Sequence, residues 1–183
     1  SGETSLISAF LSYVDRAIIS EVPFDIEKLA HFLLEDKRKN PSNYAVMTIS
    51  EGAIMKGGEV IETGPKDPFG HRKLGGIGEI VAQEIKKLTN QHIMYQKFSY
   101  VMRAGAPDSL DRMVAISFGN LAMQLVRRQE YGKMVALQGG RYTTIPIEMV
   151  LTGKKRVDVE AYYDKENYKP RVKDFLGVPM FLT

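Results

Sequence analysis

A chain of 183 residues, 44% hydrophobic and 26% charged, has apolar content enough for one well-buried domain and too much for intrinsic disorder. The absence of cysteine rules out disulfides, zinc–thiolate sites and cysteine nucleophiles. The net charge of +3 suits an anionic small molecule. It does not predict a nucleic-acid partner, because the basic runs Lys37-Arg38-Lys39 and Lys154-Lys155-Arg156 lack the interleaved aromatic residues of a stacking platform.

No apolar run approaches the roughly 20 residues that span a bilayer, so no membrane partner is expected and the cytoplasm is the expected compartment. Ser1-Gly2-Glu3-Thr4 passes directly into an amphipathic pattern without an initiator Met, which predicts a piece excised from a longer chain.

Residues 4–14 predict a helix with Leu6, Ala9, Phe10 and Tyr13 on one face, and Ala17-Ile18-Ile19-Ser20 has strand length. Pro23 and Asp25 mark a turn and an N-cap. An amphipathic helix follows to about Lys39, until Asn40-Pro41-Ser42-Asn43 breaks it. Tyr44 to Ile49 reads as a buried strand running into Ser50-Glu51-Gly52-Ala53. Residues 54–74, rich in Gly, Pro and charge, predict a long loop. Ile77 to Leu88 has helical spacing, His92 to Val101 is a strand candidate, and a long helix is expected from about Ser109 to Arg128. Strand-like pieces at 134–137 and 142–146 precede a C-terminal extension over 151–183. Strands alternating with helices of 10–15 residues imply crossover units. The expected fold is α/β, a single domain over 1–183 built as a three-layer sandwich, its mainly parallel sheet flanked by helices. In such sheets ligands sit beyond the carboxyl ends of the strands.

Two strand ends therefore hold the candidate chemistry. Glu51 can accept hydrogen bonds from two vicinal sugar hydroxyls; its alternative role is to cap the next turn. Tyr100 and Arg103 bracket the later strand end, and Ala104-Gly105-Ala106-Pro107 turns into Asp108-Ser109 at a helix start. A guanidinium there offers a planar fork of donors to a phosphate, beside a helix N-terminus that also favours anions. The structural alternative for Arg103 is a surface salt bridge. Asp108 is expected as an N-cap, and Asp111 and Arg112 as a salt bridge tying the helix start to the sheet or as ligand contacts. Leu74-Gly75-Gly76-Ile77-Gly78 lacks the Walker Lys-Ser/Thr and the dinucleotide spacing, so it reads as a flexible helix entry. His31, His71 and His92 have no metal-ligand spacing.

At these residues the chain resembles the 6-phosphofructokinase family, in its C-terminal substrate-binding portion. Ser20-Glu21-Val22-Pro23-Phe24-Asp25 is similar to the family's "PEVPF" turn, and Thr48-Ile49-Ser50-Glu51-Gly52-Ala53 to its "(V)(S/A)EGA" strand end. Ser99 to Pro107, continuing through Leu110-Asp111-Arg112, resembles the "G(H/Y)xQRGGxPxxxDR" signature, and Gly132 to Leu137 the "GxMVG" strand. The resemblance implies that Glu51 binds fructose 6-phosphate hydroxyls, Arg103 its phosphate, and that Tyr100 occupies a substrate-binding His or Tyr position. It implies phosphoryl transfer from ATP or pyrophosphate to the sugar 1-hydroxyl, in glycolysis, by a homo-oligomer using Mg2+. The donor-binding motifs, the catalytic Asp and the magnesium ligands of the family have no counterpart in these residues, so the piece alone is expected to be inactive, with no catalytic residue of its own. Where many members place an Arg that reaches a neighbouring subunit's site, this chain has Met94, and Lys97 is the candidate substitute. A non-catalytic sugar-phosphate-binding or regulatory module on the same fold is the alternative function.

Overall fold

The computed structural model describes residues 2–63, 65, 68, 73–74, 76–152 and 157–171. The basic run at 154–156, His71 and the tail beyond residue 171 lie outside them. The chain divides into two compact units, Ser1–Lys97 with Arg156–Leu176, and Phe98–Lys155 with Gly177–Thr183.

The first unit opens with helix α1 (Gly2–Leu11), followed by β1 (Arg16–Ile18), α2 (Ile26–Lys39) and β2 (Met47–Ile49). Asp25 caps α2 as its sequence position predicts: its side chain accepts from the Glu27 and Lys28 backbone amides. The Lys28 amide, then the Glu27 amide, holds the Asp25 carboxyl below its ordinary pKa. Strands β1 and β2 pair in parallel, Arg16 opposite Met47 and Ile18 opposite Ile49, so α2 is the crossover between them. The Ser5 hydroxyl of α1 lies 3.1 Å from the Ile18 carbonyl and 3.0 Å from Thr48 Oγ1, and Thr48 Oγ1 donates to the Ser5 carbonyl at 3.0 Å. Arg16 reaches Asp36 of α2, donating through Nε at 2.5 Å and Nη2 at 2.8 Å. Thr48 faces the same way as its partner Ala17, and Arg16 faces the other way. The alternation of side chains along a strand therefore sets α1 and α2 on opposite faces of the pair. This is the α/β layering expected from the sequence.

The core of this unit gathers Leu6, Ala9, Ala17, Ile18, Ile19, Phe24, Leu29 and Ala53. Short strands β3 (Glu62–Thr63) and β4 (Lys73–Leu74) pair antiparallel inside the stretch expected as loop. Helix α3 (Ile77–Thr89) follows and buries Ile77, Val81 and Ile85. Residues 157–171, within the expected C-terminal extension, fold back onto β1. Within them, α6 (Val159–Tyr162) leads into β7 (Tyr163–Asp164), which pairs antiparallel with β8 (Lys169–Pro170). Tyr163 is buried and its hydroxyl donates to the Ala17 carbonyl at 2.7 Å, while the Ala17 amide donates to the Tyr168 carbonyl at 2.8 Å. Burial pushes the Tyr163 phenol well above its ordinary pKa, which keeps it a donor. These bonds occupy backbone groups that an edge strand would otherwise expose.

The second unit holds a 3-10 turn over Ser99–Arg103, α4 (Ser109–Arg127), β5 (Lys133–Gln138), β6 (Arg141–Pro146) and α5 (Met149–Thr152). The strand expected over His92 to Val101 does not form: residues 91–98 are irregular and 99–103 are helical. Asp108 caps α4 as expected, accepting from the Asp111 amide at 2.8 Å. Strands β5 and β6 form an antiparallel hairpin, Lys133 opposite Pro146 and Gln138 opposite Arg141. Its two-residue turn, Gly139-Gly140, has φ of +54° and +75°. Both angles are left-handed, as a tight turn matched to strand twist requires.

Candidate functional site

Because β1 and β2 run in parallel, their carboxyl ends emerge on one edge, and the chain places Ser20-Glu21 and Ser50-Glu51 there. The Ser50 amide continues the pairing by donating to the Ile18 carbonyl at 2.9 Å. The Ser50 hydroxyl is buried at this edge, with no hydrogen-bond partner among the described residues. Ser20 donates to Glu21 Oε2 at 3.0 Å, and Glu21 Oε1 accepts from the Val157 amide at 3.4 Å. The Glu21 carboxylate lies so close to Gly2 that a side chain there would collide with it. Glu21 thus sets a negative charge against the N-terminus of α1, which favours it.

Glu51 is the outermost of these groups, its side chain 53% exposed, and its Oε1 lies 3.1 Å from Lys97 Nζ. The structure thus brings together two of the residues singled out by sequence, Glu51 and Lys97, within one unit. Tyr100 and Arg103 belong to the other unit. There the 3-10 turn ends at Arg103, and the Ala104 amide closes it on the Val101 carbonyl at 3.2 Å. Tyr100 is 76% exposed. The turn leads through Pro107 to the capped start of α4, where Pro107, Asp108, Ser109, Arg112, Met113 and Ile116 line an open groove. Arg103 therefore closes a helical turn ahead of a capped helix, not a strand.

Lys97, the candidate for a neighbouring subunit's site, pairs with Glu51 of its own chain. Forty-six positions separate the two, and no local periodicity links them. Among the described residues, no group of three or more His, Asp or Glu side chains converges as a metal site. Nor is any helix of the described residues long and apolar enough to cross a membrane.

The sequence model of the family described as Phosphofructokinase matches residues 1–126. The chain is 33% identical over 151 residues to the pyrophosphate–fructose 6-phosphate 1-phosphotransferase of Amycolatopsis methanolica, covering 81% of this chain and 43% of that protein. It is 30% identical over 146 residues to the ATP-dependent 6-phosphofructokinase of Chloroflexus aurantiacus, covering 80% and 39%. The crystal structure of the pyrophosphate-dependent phosphofructokinase of Marinobacter aquaeolei superposes with a TM-score of 0.62 at 17% identity. That match covers 88% of this chain and 39% of the other, and it shows the fold. The chain spans less than half the length of each of these relatives. With a carboxylate beyond a parallel strand end and the family's sequence model matched over residues 1–126, the chain belongs to the phosphofructokinase family.

Proposed function

We propose that this chain supplies the fructose 6-phosphate-binding part of a 6-phosphofructokinase, which moves a phosphoryl group from ATP or pyrophosphate to the sugar 1-hydroxyl. Family membership supports the reading, and the observation that carries it is Glu51, a half-exposed carboxylate at the shared carboxyl edge of β1 and β2. There it accepts hydrogen bonds from sugar hydroxyls. Arg103, which ends the 3-10 turn before α4, supplies donors to the 6-phosphate, and Tyr100 borders the same turn. Phosphoryl transfer of this kind rests on positioning and on electrostatic stabilisation, and this chain's part is to position the acceptor sugar. The donor, its magnesium and the catalytic base belong to the remainder of the enzyme. In this reading that enzyme is a cytoplasmic homo-oligomer of glycolysis, and the chain by itself turns over no substrate.

Titration of the 183-residue chain with fructose 6-phosphate, followed by NMR shifts or calorimetry, tests the proposal. The expected result is saturable binding that Arg103→Ala weakens by about ten- to a hundredfold, the loss of one charge-assisted phosphate contact. An unchanged affinity in that variant removes Arg103 from the site. Absence of binding by the unaltered chain overturns the assignment.

A further inference from the structure

The Glu51–Lys97 pair is held in place by packing. After α3 ends at Thr89, the chain turns back along that helix and lays the Tyr95 ring on Gly78, in the helix's first turn. A Cβ at Gly78 would lie 2.6 Å from Tyr95 Cε2, so the contact requires glycine. At the other end of the strap, Lys37 of α2 donates to Gln91 Oε1. Two residues beyond Tyr95, Lys97 arrives at the carboxyl end of β2 with its Nζ 3.1 Å from Glu51 Oε1. Neither side chain is consumed by the contact: Glu51 stays 53% and Lys97 47% exposed.

Resting on the proposed sugar-phosphate site, we infer that Glu51 and Lys97 act as one acceptor–donor pair that reads two neighbouring hydroxyls of the sugar. A sugar hydroxyl both donates and accepts. A carboxylate can only accept, and an ammonium can only donate. Side by side, at a spacing comparable to that of adjacent hydroxyl oxygens, they engage the two hydroxyls in complementary senses. The carboxylate accepts the O–H of one, and the ammonium donates to the oxygen of the next. Lys97 is then a specificity residue for the sugar ring within its own chain, and the phosphate is held elsewhere. An epimer that turns one of the two hydroxyls away leaves one member of the pair unanswered, which is how a polar site discriminates strongly.

The test compares the unaltered chain with Lys97→Met and Lys97→Arg by calorimetric titration. The probes are fructose 6-phosphate, its C3 and C4 epimers psicose 6-phosphate and tagatose 6-phosphate, and inorganic phosphate. Lys97→Met is expected to weaken fructose 6-phosphate about tenfold, to bring it level with at least one epimer and to leave inorganic phosphate unchanged. Lys97→Arg, which keeps a donor and a charge, is expected to recover part of the loss. Lys97 is exposed, so unfolding curves of the variants should superimpose on that of the unaltered chain. If Lys97→Met binds fructose 6-phosphate as the unaltered chain does, the pair does not read the sugar, while the proposed site survives. If it loses inorganic phosphate in equal measure, Lys97 contacts the phosphate and the inference fails. If the unaltered chain binds no fructose 6-phosphate, the inference falls together with the proposed function.

Discussion

Helix α2 of the first unit buries Leu29 and Ala30 and ties itself to β1 through Asp36, whereas the longer α4 of the second unit buries Leu125 alone. Both are amphipathic by sequence, yet they are used differently. In α4, Val114, Phe118, Leu121 and Leu125 share one stripe, and Phe118 packs edge-on against Tyr142 of the hairpin at 5.8 Å. The opposite stripe carries Met113, Ile116 and Met123, which are 55%, 66% and 58% exposed. Apolar residues on two sides are the pattern of a helix enclosed on both. In this chain α4 packs through one. An apolar stripe announces burial without saying where its partner lies. The first unit closes its core from its own residues, including those of 157–171, and the second leaves half of its main helix open.

The comparison predicts where the molecule is brittle. The largest effect is expected at Arg16, whose guanidinium forms a two-pronged pair with the buried Asp36. Arg16→Met leaves that carboxylate buried and unpaired and should cost roughly 3–5 kcal/mol in a urea unfolding curve. The double variant Arg16→Met/Asp36→Leu should regain most of it. A single-variant loss under about 1 kcal/mol would mean that water reaches the pair. A smaller effect is expected at Tyr163, where Tyr163→Phe removes the bond to the Ala17 carbonyl and should cost about 1–2 kcal/mol. An unaltered unfolding curve would show that the Tyr163 hydroxyl adds nothing to the hold of 157–171 on β1. The smallest effect belongs to the open stripe. Ile116→Ala should stay within about 0.5 kcal/mol, as at other surface positions, while Leu29→Ala in the first core costs about 2–5 kcal/mol. A loss of core size at Ile116 would erase the distinction between the units.

Legibility in the sequence followed the range of the forces involved. Caps were legible, because Asp25 and Asp108 bond amides two or three residues away. So were the helices α2, α3 and α4, whose periodicity repeats within each segment, and Glu51, recognisable from the strand that precedes it. The 92–101 stretch carries strand-like apolar residues, yet Tyr95 packs on Gly78 and 99–103 wind into a 3-10 turn. The docking of the closing segment has no local signal either, since Tyr163 and Tyr168 meet β1 from about 150 positions away.

The family, the caps, the crossover of β1, α2 and β2, and the carboxylate at the strand end are all written in the order of residues along the chain. These rest on short-range geometry and on residue chemistry at fixed spacing. Folding in three dimensions is what pairs Arg16 with Asp36, lays the returning C-terminal segment on β1 and brings Lys97 to Glu51. Each joins groups distant along the chain, and their meeting depends on how whole elements pack, which no local pattern encodes.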